Sequence, residues 1–159
     1  MSERARVSVR VAAPRELAFG VFTEDIDRWW RRGKRYRMGE TSTLALQPGV
    51  GGRFTETEGA TVWDMGEVRV WEPPRRLVIA WRAVSFAPDD PSTEVEVTFE
   101  RAIGHSGEAT LVTIEHRGFE RLRPDHPVRH DQDARAFSSS LARFWGALAS
   151  ALREHTDAR

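Results

Sequence analysis

The chain contains no cysteine, only one lysine (Lys34), and no apolar run near the roughly 18 residues that a membrane span needs. Without thiols there is no disulfide framework, cysteine nucleophile, zinc–thiolate site or cysteine-ligated iron–sulfur cluster. No Gly-x-Ser-x-Gly stretch occurs, which removes the nucleophile elbow of serine hydrolases. Charge of one sign is not in excess either. The 159 residues carry 24 basic and 24 acidic side chains, for a formal net charge of +0. That balance argues against the basic surface of general nucleic-acid binders. The residues after Met1 lead directly into an alternating pattern without a signal-peptide core, so a cytoplasmic setting is expected.

What is present is the composition of a folded domain. Hydrophobic residues make up 40% and charged residues 30% of the chain, and 159 residues suit one domain spanning 1–159. Residues 4–11 alternate apolar and polar positions, as a half-buried strand does. Pro14 is placed to open a helix through Phe22, and Thr23 is a plausible N-cap for a second short helix ending at Trp30. Candidate strands then follow at 36–46, 51–58, 61–71, 76–85, 93–102 and 109–117, separated by Gly- and Pro-containing turns. The period changes again at the end. Ala134, Phe137, Leu141, Phe144, Leu148 and Leu152 form one apolar stripe on a long helix to about Glu154.

This order predicts an α+β fold in which a curved, seven-stranded antiparallel sheet covers its apolar face with the C-terminal α-helix, two short helices following strand 1. The sheet is wider than a helix, about 10–12 Å across. A gap with apolar walls is therefore expected between them, the usual character of a small-molecule site.

Particular stretches resemble a known group. Val11 to Phe19 and the pair Trp29-Trp30 are similar to the opening of the START-like SRPBCC superfamily. Residues 63–77 with Trp81, the run 93–99, and 114–122 resemble the branch related to the C-terminal domain of the activator of heat-shock protein 90 ATPase. The resemblance implies the helix-grip (Bet v 1/START-like) fold. It also implies a ligand cavity in general, and a chaperone as an alternative partner. Relatives often carry a Gly-Trp pair in the last helix, where this chain has Ser140-Leu141 with Trp145 one turn later, so the cavity here has its own shape.

The expected wall of that cavity comprises Trp63, Trp81, Phe86, Phe137, Leu141 and Trp145, with Glu67 and His116 as polar contacts. Glu67 is read on the same strand face as Trp63 and Met65, and His116 on that of Val112 and Ile114. The Glu-Pro-Pro-Arg-Arg-Leu stretch 72–77 reads as a tight turn, and the basic run 28–37 as a solvated loop with tryptophans anchored beneath. His126 and His130 have a spacing of four, which on a helix would share a face, but lack the Glu of a zinc-protease motif. No catalytic residue, metal ligand or cofactor is assigned. The leading expectation is binding of a small apolar or aromatic molecule. Modulation of a chaperone ATPase, or a cyclase-, aromatase- or hydrolase-type activity using a cavity carboxylate or His116, are the alternatives.

Overall fold

The computed structural model describes residues 3–159; Met1 and Ser2, the beginning of the stretch read as leaderless, lie outside the described residues. Seven strands form one antiparallel sheet in the order β1-β7-β6-β5-β4-β3-β2. They are β1 (Ala5–Val11), β2 (Thr43–Leu46), β3 (Arg53–Glu58), β4 (Thr61–Glu72), β5 (Arg76–Trp81), β6 (Thr93–Gly104) and β7 (Gly107–Arg117). Helices α1 (Arg15–Glu24) and α2 (Ile26–Trp29) follow β1, and α3 (Ala134–Asp157) closes the chain. This is the helix-grip arrangement. Among the described residues no helix is long and apolar enough to cross a membrane.

Period-2 alternation decides which face is wet. Val95, Val97 and Phe99 of β6 pair with His116, Ile114 and Val112 of β7, and all six are buried. The intervening Glu94 and Glu96 face outward and share Arg117, while Arg76 also reaches Glu96. Burial raises the Glu96 pKa, but bonds from Arg76 and Arg117 outweigh it and hold the carboxyl below its ordinary value. Helix α3 lays Trp145, Leu148 and Leu152 against the concave face, all within 1% of full burial. Each large apolar side chain buried in this way contributes about 1.5–3 kcal/mol. Asp133 starts that helix by accepting the Ala136 N–H at 2.8 Å.

Local expectations fail in four places. Residues 36–42 are an irregular loop rather than strand, so β2 begins only at Thr43. Arg37 holds this loop shut: its buried guanidinium donates to Asp27 Oδ1 at 2.7 Å and to the carbonyls of Ser42 and Trp30 at 2.8 and 2.9 Å. Strand β5 ends at Trp81, not 85, because Arg82 turns inward to the loop that follows and donates to the Asp90 and Ala87 carbonyls. Thr23 is no N-cap. It lies within α1 and returns its hydroxyl to the Phe19 carbonyl at 2.9 Å, and Asp25 occupies the junction. Finally, α3 runs past Glu154 to Asp157, whose carboxylate accepts the Ala12 N–H at 2.8 Å.

Candidate functional site

Between the sheet and α3 the deep part of the grip is filled with rings. Trp30 stacks on Trp81 with centroids 6.2 Å apart and meets Trp145 edge-on at 5.7 Å and Phe54 at 5.6 Å. Part of the expected gap survives beside the N-terminal half of α3. There a cavity of about 300 Å³ is walled by Trp81, Phe119, Phe137, Leu141, Phe144 and Val128. Arg35, His130, Gln132 and Ser140 stand among them, and His116 forms part of the floor. A smaller chamber of about 150 Å³ lies beside it, under Trp30, Tyr36 and Met65. Trp81, Phe144 and Arg35 border both.

The segment after β7 builds one wall. It turns at Gly118, whose φ of 99° favours glycine, and continues through two short 3₁₀ turns, Phe119–Arg121 and Pro127–Arg129. Arg129 is the hub of this wall. Only 4% exposed, it donates to both carboxylate oxygens of Glu3 at 2.8 and 2.7 Å and to the Phe119 carbonyl at 2.8 Å. His126 pins the other side: its ring meets Asp90 Oδ2 at 2.8 Å and packs edge-on against Phe86.

His116 is only 3% exposed, and both ring nitrogens are hydrogen-bonded. The Trp145 indole donates to Nδ1 at 3.1 Å, which makes Nε2 the protonated nitrogen and donor to Thr93 Oγ1 at 2.8 Å. The Thr93 hydroxyl then donates to the Trp81 carbonyl at 3.2 Å. Burial lowers the imidazole pKa to about 3. A ring so placed is neutral, with no lone pair to offer a substrate. It shapes the cavity floor and does not serve as a general base.

Of the residues expected at the site, Trp81, His116, Phe137 and Leu141 come together around the larger cavity. Trp145 lies behind them, fully buried against His116 and Trp81. Phe86 packs in a satellite cluster with Phe119, Leu122 and Phe137 instead of facing the gap. Trp63 packs on the core without lining either chamber. Glu67 is a correction. A β-bulge between Phe54 and Thr55 of β3 opposite β4 breaks the alternation, so Met65 and Val68 are both buried while Glu67 faces outward, bonded to Arg69 at 2.8 Å. His126 and His130 also separate, since the chain between them is a 3₁₀ turn and not an α-helix. Among the described residues no group of three or more His, Asp or Glu is placed to hold a metal.

Sequence reasoning missed Glu56. It lies two residues from Phe54 on the same face of β3, the signal that would have placed it inside, and it is only 1% exposed, against the smaller chamber. Its carboxylate faces inward where Glu67 was expected to.

Comparison with known proteins follows the same outline. A family model described as "Activator of Hsp90 ATPase homolog 1-like protein" matches residues 12–150. The structure of Txn09, an anthrahydroquino-γ-pyrone synthase, is 30% identical with a TM-score of 0.55, covering 93% of this chain and 96% of that one. Protein MLL2253 from Mesorhizobium loti is 23% identical with a TM-score of 0.56, covering 97% and 98%. DynU16, from the dynemicin biosynthetic locus, is 22% identical with a TM-score of 0.58, and this chain spans 50% of its length. The last two likenesses speak to fold alone. No curated protein sequence matches the chain. With its helix-grip architecture and a family match over most of its length, the chain belongs to the activator of Hsp90 ATPase homolog 1-like family within the START-like superfamily.

Proposed function

We propose that the protein binds a small apolar or aromatic molecule at the open end of the grip. The observation that carries this reading is the cavity of about 300 Å³, left between α3, β5 and the wall after β7 in an otherwise ring-filled interior. Its rings and aliphatic side chains would remove a flat ligand from water, which supplies most of the affinity at such sites. Gln132 and Ser140, joined at 2.9 Å, supply polar groups at the rim that fix orientation. The 30% identity to a synthase named for an anthrahydroquino-γ-pyrone supports a flat, polycyclic guest.

The enzyme reading fares less well. Glu67 lies in an outer ion pair and both ring nitrogens of His116 are hydrogen-bonded, which leaves Glu56 as the one carboxylate among the described residues lining the smaller chamber. A chaperone-directed role rests on the family description alone, and unchanged ATPase turnover of the cognate chaperone would remove it.

Native mass spectrometry of freshly purified protein, followed by titration with naphthalene-sized aromatics, tests the ligand reading. A co-purifying mass or saturable binding is expected. A protein that retains nothing and saturates with none of them would overturn it.

A further inference from the structure

Among the described residues four charged side chains are buried: Glu3, Arg37, Glu56 and Arg129. Three of them are matched. Arg129 is paired with Glu3 and Arg37 with Asp27. Glu56 has no cation within ion-pairing distance among the described residues, although it is the most buried of the four at 1%. Burying an unpaired carboxylate is expensive, and hydrogen bonds offset only part of that cost. The bonds it has are unevenly distributed. The Met38 and Gly39 N–H groups, at 2.8 and 3.0 Å, and the Ser42 hydroxyl, at 2.6 Å, all donate to Oε2. Oε1 receives no donor from the described residues, and the residue lines the smaller chamber.

We infer that Glu56 Oε1 is the acceptor for a ligand hydroxyl, so that the chamber of about 150 Å³ is a head-group subsite selecting hydroxylated aromatic molecules. This rests on the ligand-binding reading above and adds a chemical class to it. The geometry suits a ring that reaches the larger cavity past Trp81 and Phe144, the aromatic residues common to both spaces, with its hydroxyl directed under Trp30 and Tyr36. Oε2 is fixed by its three donors, which holds the free oxygen in place before a ligand arrives. Such preorganisation lowers the cost of binding. Arg37, also beside the chamber, spends its Nη1 and Nη2 groups on Asp27, Ser42 and Trp30, and its buried Nε–H, which has no partner among the described residues, adds a donor to the same wall. Lys34 and Arg35 stand at the chamber's exposed edge, a setting that disfavours a cationic ligand as the partner of Glu56.

The test compares 2-naphthol with 2-methoxynaphthalene, which keeps the ring and removes the donor, on the whole protein and on Glu56→Gln. In the variant the amide oxygen can still accept the three donors while an NH₂ replaces the free acceptor. Wild type is expected to prefer 2-naphthol by about 10- to 100-fold, the range for a hydrogen bond to a charged group. Glu56→Gln should lose that preference, the two compounds then binding it about equally. Equal binding of both compounds by wild type would overturn the subsite and leave ligand binding standing. Persistence of the preference in a folded Glu56→Gln would also overturn it, whereas binding of neither compound would count against both readings. The wild-type comparison decides the matter even if the variant does not fold.

Discussion

The indole N–H of Trp145 on α3 donates to Nδ1 of His116 on β7 at 3.1 Å, and this bond exists only while the imidazole is neutral. Protonation would set two N–H groups against each other in a site without water-like screening. The unfolded chain takes up that proton near the ordinary value of 6.5, and the folded chain only at about 3. The unfolded state therefore binds more protons between those values. Stability is independent of this group above pH 6.5 and falls as pH drops toward 3, by up to about 1.4 kcal/mol per pH unit. Urea unfolding of wild type and His116→Phe across that window checks it. The variant should be about 1–3 kcal/mol weaker at neutral pH, since Trp145 and Thr93 lose a partner, yet its acid slope should be shallower. Parallel slopes would refute the assignment.

A second prediction concerns the larger cavity. Leu141 borders it and is only partly buried, so Leu141→Trp should fill the space from the helix side without disturbing the tightly packed face around Leu148. Affinity for aromatic ligands should drop at least about tenfold with melting temperature little changed. Calorimetric titration beside thermal unfolding separates the two effects, and undiminished affinity would place the ligand elsewhere.

The wall after β7 depends on one guanidinium. Arg129→Met should leave Glu3 buried without its partner and release the Phe119 carbonyl. A loss of about 3–5 kcal/mol is expected. Glu3→Gln retains an acceptor and should cost less. Hydrogen exchange ought to rise first in residues 118–132, and a uniform increase over the whole chain would argue that the pair has no local role.

At Gly66, opposite Trp81 in the sheet, an added Cβ would collide with the Ala80 carbonyl and come within 2.9 Å of Ile79 Cγ2. Both neighbours are fixed by β5, so Gly66→Ala should cost about 1–3 kcal/mol through overpacking. Equilibrium unfolding gives the figure directly, and a neutral result would mean that the bulge relaxes.

Much of the fold was legible because two periods govern it. Val95, Val97 and Phe99 alternate and are all buried, while Phe137, Leu141, Phe144 and Leu148 recur at helical spacing on the side of α3 that meets the sheet, Leu141 and Phe144 only partly buried where the cavity opens. What escaped are the places where something other than periodicity decides. The bulge opposite Phe54 added one residue to β4 and turned Glu67 out. The loop 36–42 bends around Arg37, whose bonds to Asp27, Trp30 and Ser42 have no regular spacing that a periodic pattern would reveal. Glu56 was overlooked for a related reason: an acidic residue between threonines reads as a wet position, and only the donors from Met38, Gly39 and Ser42 make an inward carboxylate tolerable. The site was half visible, its aromatic side from spacing and its polar side from tertiary contacts alone.

Trp29, Trp30, Trp81 and Trp145 form an unbroken chain of indoles with neighbouring centroids 5.5 to 6.2 Å apart. At such separations excitation energy can pass from one indole to the next. A guest at Trp81, where one is proposed, should therefore quench more than that ring's own emission, and a ligand titration followed by tryptophan fluorescence reads it directly.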